Sequence, residues 1–62
     1  MPIITLEGPP ITEKAVRRTL VEELTNSAAK AYGLPKEKII VLVRENAPDQ
    51  VAVGGVLIAD RR

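Results

Sequence analysis

Few of the groups that commonly carry catalysis occur in this 62-residue sequence. It has no His and no Cys. That excludes an ordinary nucleophile–His triad, a thiolate nucleophile and the commonest metal ligands, so no metal site is expected. The acids Glu7, Glu13, Glu22, Glu23, Glu37, Glu45, Asp49 and Asp60 are scattered along the chain. Most read as solvated surface. Glu7 and Glu45 close predicted strands, from which a carboxylate can enter a site. Gly54-Gly55 lacks the flanking pattern of a dinucleotide or phosphate loop. Pro2 is the unusual group. A small second residue permits removal of the initiator Met1, and Pro2 then carries a free secondary amine at the head of a strand. An α-amino group has a reference pKa of about 7.7–8.0, and proline's ring makes it intrinsically more basic. Apolar surroundings or nearby cations lower that value, because both disfavour the charged form. A neutral amine near neutral pH is a general base whose conjugate acid can return the proton. It can also add to a carbonyl as a nucleophile.

Composition narrows the field further. Net charge is +1, with one Tyr, no Phe and no Trp. There is neither a basic tail nor an aromatic platform for nucleic acid. No apolar run approaches the ~20 residues of a membrane span. The opening residues lack the basic start of a signal peptide, so the expected compartment is the cytoplasm. The length allows one domain at most, spanning 1–62. A domain this short hides only about 60% of its unfolded surface, and ordering it costs roughly 1.5 kcal/mol per residue. The chain is nonetheless 45% hydrophobic, too much for a disordered tail. With no disulfide or metal expected, self-association is the remaining remedy.

Three elements must position Pro2. Pro2 to Glu7 is rich in β-branched residues and reads as a short strand, stopped by Gly8-Pro9-Pro10. A helix is predicted from Thr12, its expected N-cap, to Tyr32, with Gly33 as the C-terminal stop and Pro35 beyond. Val16, Leu20, Leu24, Ala28 and Ala31 recur at helical spacing as one apolar stripe, widened by Val21. Glu13 with Arg17, and Arg18 with Glu22, are spaced for i,i+4 ion pairs. Ile39 to Val43 is apolar at every position, which suits a strand buried on both faces, and Arg44 and Glu45 end it. A turn-rich loop covers residues 46–50, and the tail from Val51 to Arg62 reads as a small hairpin or arm ending in a solvated Arg61-Arg62. The fold class expected is α+β, a βαβ unit with two parallel strands, one helix and a C-terminal hairpin or arm. One helix covers only one face of such a sheet. The other face must meet something, and a second copy of the chain is the simplest candidate.

The order of short motifs adds a second line of argument. Met-Pro-Ile-Ile opens the chain and Glu7-Gly8 closes the first strand. Leu20-Val21 lies in the helix, followed by Ile39 to Val43, Glu45 and Val51-Ala52-Val53-Gly54-Gly55. Together these resemble the 4-oxalocrotonate tautomerase family over nearly the whole chain. The resemblance implies a βαβ subunit assembled into hexamers (trimers of dimers). It also implies no metal or organic cofactor, and an N-terminal proline base that maps onto Pro2. The best-known members carry an Arg after the Gly that ends the first strand, a second Arg in the second strand, and a Phe before the Gly-rich segment. Those positions are Pro9, Ile40 and Val51 in this sequence. The first strand is also shorter and the loop before the helix longer. The standard dicarboxylate 2-hydroxydienoate substrate does not follow from the residues present.

Other cations are candidates to replace the missing arginines. Arg17 and Arg18 lie near the helix start, at the far end of the first strand from Pro2, so either must reach Pro2 from a neighbouring subunit. Arg17 falls near the apolar stripe, whereas Arg18 points away. Arg44 lies at the end of the second strand. Val51 is expected to line the pocket. The expected function is a keto–enol tautomerase acting on a small 2-hydroxydienoate or 2-oxo acid, with Pro2 as base and Arg17, Arg18 and Val51 on the substrate. The expected partners are a small carboxylate substrate and further copies of the chain, with no nucleic acid and no membrane. Two alternatives stand beside it. One is a related Pro2-dependent decarboxylase, dehalogenase or hydratase, and the other is a non-catalytic oligomeric interaction module.

Overall fold

The computed structural model describes residues 1–61. The element order is β1 (Ile3–Gly8), α1 (Lys14–Tyr32), β2 (Ile40–Glu45), β3 (Ala52–Val53) and β4 (Val56–Leu57), with short 3₁₀ turns at Lys36–Lys38, Pro48–Gln50 and Ile58–Asp60. β1 and β2 pair in parallel, with Ile3 opposite Ile40 and Gly8 opposite Glu45. β3 and β4 form a separate antiparallel hairpin. This is the expected α+β architecture of two parallel strands, one helix and a C-terminal hairpin. Arg62, the end of the predicted solvated tail, lies outside the described residues.

Both ends of the helix have local causes. At its C-terminus Gly33 takes φ 66°, and its N–H donates to the Ala29 carbonyl. Leu34 N–H donates to the same oxygen at 3.0 Å. A left-handed residue at that position is what glycine permits at least cost. The N-terminus differs from expectation. The helix starts at Lys14, and Glu13, not Thr12, is the cap, without a side-chain hydrogen bond. Arg17 N–H bonds the Glu13 carbonyl at 3.2 Å. The Arg17 side chain also turns away from Glu13, to the Ile11 carbonyl at 2.6 Å and to Glu45 at 3.0 Å. A tertiary partner has replaced the predicted i,i+4 pair. Arg18 and Glu22 form no salt bridge among the described residues.

Strand bounds shift slightly. β1 runs one residue past Glu7, and β2 starts at Ile40, one residue later than expected, and ends at Glu45. The cause is pairing. Gly8 lies opposite Glu45, and Asn46 N–H donates to the Gly8 carbonyl at 2.9 Å.

The helix turns Arg17, Leu20, Val21, Leu24, Thr25, Ala28 and Ala29 inward to half-burial. Val16 and Ala31, expected on the stripe, lie at its flank and are exposed. In the sheet, Ile4, Leu6, Val41 and Val43 are half-buried, while Ile3, Thr5, Ile40 and Leu42 on the opposite face are exposed. Ile39 is the only buried apolar residue among those described. The radius of gyration is 14.8 Å, against about 10.6 Å for a compact chain of this length. No helix among the described residues is long and apolar enough to cross a membrane.

Candidate active site

β1 carries Pro2 at its amino end. The Pro2 carbonyl accepts the Ile40 N–H at 3.1 Å, which fixes the residue to the head of the parallel ladder. Pro2 itself is half-buried. Met1 is 84% exposed, so removing it requires no rearrangement of its neighbours. With Met1 attached the Pro2 nitrogen is an amide and not a base. Met1, Leu34, Glu37, Lys38 and Ile40 shape a shallow hollow at this end of the sheet.

The other end of β1 builds a larger groove of about 500 Å³, lined by Glu7, Gly8, Pro9, Asn46, Pro48, Val51 and Ile58. Its walls are set by local chemistry. Gln50 closes the Pro48 turn, donating its N–H to the Ala47 carbonyl at 2.9 Å while its side-chain oxygen accepts the Ala47 N–H at 3.2 Å. Ile58 N–H donates to the Val51 carbonyl at 2.8 Å, folding the hairpin back over the groove. The hairpin reverses at Gly54 and Gly55, which take φ 62° and 83°. Two successive positive φ values define the tight turn that suits right-twisted strands.

Beside the groove, Glu45 gathers the loop between β1 and α1. Its carboxylate accepts the Ile11 N–H at 2.9 Å and the Arg17 guanidinium at 3.0 Å. The Ile11 hydrogen bond first, and Arg17 by hydrogen bonding and charge, hold Glu45 below the usual carboxylate range, against partial desolvation. The cluster fixes Pro9, Pro10 and Ile11 against the end of β2.

The sites predicted from sequence therefore fall at two ends. A six-residue strand is about 20 Å long, so Pro2 lies that far from the Gly8 end. Val51 lines the groove at the Gly8 end. Arg17 is at the same end but is held by Glu45 and the Ile11 carbonyl. Arg18 is exposed and lies in a separate depression with Val21, Glu22, Thr25, Asn26 and Lys36. One copy of the chain does not bring Pro2 to Val51 or Arg17. Pro48 and Ile58 join Pro9 and Val51 as wall residues; the turn-rich loop before β3 is the one sequence signal for Pro48, and Ile58 has none. Among the described residues, no three acids cluster closely enough to hold a metal ion.

The fold is a known one. A family model described as "Tautomerase enzyme" matches residues 2–61, starting at Pro2. The chain belongs to the tautomerase family. It is 36% identical over 63 residues to the 2-hydroxymuconate tautomerase of Bacillus subtilis (strain 168), covering 97% of each chain. Among solved structures, a 4-oxalocrotonate tautomerase homologue superposes with a TM-score of 0.89 at 32% identity, covering 100% of this chain and 98% of that one. DmpI from Archaeoglobus fulgidus gives 0.85 at 39% identity, covering 95% and 100%. The resemblance to 4-oxalocrotonate tautomerases read from the sequence is thereby established, and membership supports tautomerase-type isomerase activity. Within this family frame, Ile40 and Pro9 stand at the two ends of one sheet, and neither supplies a charge.

Proposed function

We propose that this chain is a cofactor-independent keto–enol tautomerase of small 2-hydroxydienoate or 2-oxo acids, with the Pro2 amine as general base. The observation that carries the reading is the setting of Pro2. It is half-buried beside apolar Ile40 at the head of β1, while the residue that blocks its nitrogen is almost fully exposed. The family match, which begins at Pro2, supports the same assignment. So does the tautomerase named among the relatives.

The mechanism needs one proton and no external reagent. With Met1 removed, the neutral amine takes the enol hydroxyl proton and becomes an ammonium. The conjugated system closes to the ketone as the ammonium returns that proton to carbon, so substrate and product are isomers. Apolar surroundings favour the neutral amine before each turnover. A cation beside the groove stabilises the dienolate charge, more strongly where water is excluded. Because Pro2 and the Val51 groove are about a strand length apart, the complete site combines Pro2 of one copy with the groove of another. A homo-oligomer, as a trimer of dimers, provides that arrangement. It also covers the sheet face left bare in one chain.

The test is Pro2→Ala in protein whose mature N-terminus has been confirmed by intact mass. Enol-to-ketone conversion should fall at least a hundredfold with the oligomer intact. A variant that retains Met1 should be equally inactive. Undiminished turnover in either would remove Pro2 from the mechanism.

A further inference from the structure

Two hollows adjoin at the carboxyl end of the sheet. The larger, of about 500 Å³, has Pro9, Pro48, Val51 and Ile58 as its walls. The smaller, of about 280 Å³, shares Glu7, Gly8 and Pro9 with it and adds Arg44 and the Arg17-paired Glu45 among apolar neighbours. We infer that this paired groove takes a substrate with one carboxylate and an apolar body, and that Arg44 holds the carboxylate. The inference deepens the proposed tautomerase site and rests on that reading.

The charges at this end decide the argument. Arg17 is engaged, with its Nη2 donating to Glu45 and the Ile11 carbonyl. Arg44 lines the smaller hollow, is exposed, and has no side-chain hydrogen bond or salt bridge among the described residues. Its planar fork of donors matches a carboxylate. It stands opposite Glu7 in the strand register, and Glu7 lines both hollows. A second carboxylate on the substrate would meet the Glu7 charge, and like charges repel strongly where solvent is displaced. The rest of the larger wall suits an alkyl or aryl group. Lys38 lines the hollow at the opposite end of the sheet with Met1, Leu34, Glu37 and Ile40, about a strand length from this groove.

Equilibrium binding tests this without turnover. Cinnamate is the one-carboxylate probe, cinnamamide its uncharged counterpart, and cis,cis-muconate the dicarboxylate. The expected result is at least tenfold tighter binding of cinnamate than of muconate. Arg44→Ala and Arg44→Gln should each weaken cinnamate at least tenfold and leave cinnamamide within twofold, while Arg44→Lys keeps part of the affinity. Lys30→Ala is the charge control and should change nothing. Pro2→Ala should bind cinnamate normally and fail only in turnover, so loss of the Pro2 reading and loss of this one are separable. Muconate binding as tightly as cinnamate would overturn the inference. So would equal losses for acid and amide at Arg44, or a loss that follows Lys38→Ala instead.

Discussion

Leu42→Lys tests whether another copy of the chain covers the bare face of the sheet. In one chain, Ile3, Ile40 and Leu42 are 51%, 39% and 43% exposed. Complete burial of such a side chain contributes roughly 1.5–3 kcal/mol, so covering what remains contributes about 1 kcal/mol each. The three together contribute about 3 kcal/mol per copy. A chain of this length has a total stability of only about 3–9 kcal/mol. Assembly on this face would therefore supply a large share of what keeps the protein folded. If the face stays in water, Leu42→Lys loses about 1 kcal/mol of partial burial and nothing else. If it is covered, the substitution places an unpaired ammonium in an apolar interface, at a cost of several kcal/mol. Sedimentation velocity and thermal melts at several protein concentrations separate the cases. The expected result is a shift from oligomer to monomer, with the midpoint falling by about 12–24 °C for a loss of 3 kcal/mol. The wild-type midpoint should rise with concentration. Ser27→Lys, on the exposed side of α1, should leave both measurements unchanged. Unchanged size and melting in Leu42→Lys would refute the reasoning, as would a wild type that sediments as a monomer.

Gly33→Ala should destabilise the fold by about 1 kcal/mol, because φ 66° is strained for an L-residue. Nothing lies within 4 Å of the added methyl, so steric collision adds nothing. Urea unfolding should show a lower midpoint with an unchanged slope, and an equal midpoint would contradict the strain argument. Glu45 has a folded pKa below its ordinary value of 4.5, so its contribution is present above the ordinary carboxylate range. That contribution is lost as pH falls through the lowered folded value. Wild type should lose stability more steeply than Glu45→Gln across that window, and parallel curves would show that the Ile11–Arg17–Glu45 cluster contributes nothing. Ile39→Ala should cost about 2–4 kcal/mol, since Ile39 is the one buried apolar residue among those described. Calorimetry on the intact oligomer measures it, and a loss below about 1 kcal/mol, the size of an ordinary exposed-site change, would mean that the core lies between copies instead.

The strand–helix–strand order was legible because each signal was local. The β-branched opening, the helical spacing of Leu20, Leu24 and Ala28, and the glycine at position 33 all act within a few residues. The β2 run was legible for a second reason. An apolar residue at every position implies two covered faces, and one helix supplies only one. What sequence spacing could not show were the contacts that decide between equally good local partners. Thr12 had the right chemistry for a cap, and Glu13 the right spacing to pair with Arg17. Arg17 pairs instead with Glu45, 28 residues away, whose carboxylate also accepts the N–H of Ile11, 34 residues away, and the helix begins one residue later than a Thr12 cap implies. The candidate site divides the same way. Pro2 stood out as the head of a predicted strand, and Val51 as the residue before the glycines. Pro9, Pro48 and Ile58 became neighbours only when the 3₁₀ turn and the hairpin folded over the end of the sheet.

A single chain also leaves the proposed site divided between its two ends, with the amine at one and the apolar groove at the other. The length of β1 fixes that separation, because Pro2 and the Gly8 wall of the groove stand at opposite ends of the same six-residue strand. In the proposed site a second copy closes the gap. The bare sheet face and the unfinished site therefore make the same demand. A substitution that disperses the oligomer should abolish turnover even where Pro2 and the groove are untouched.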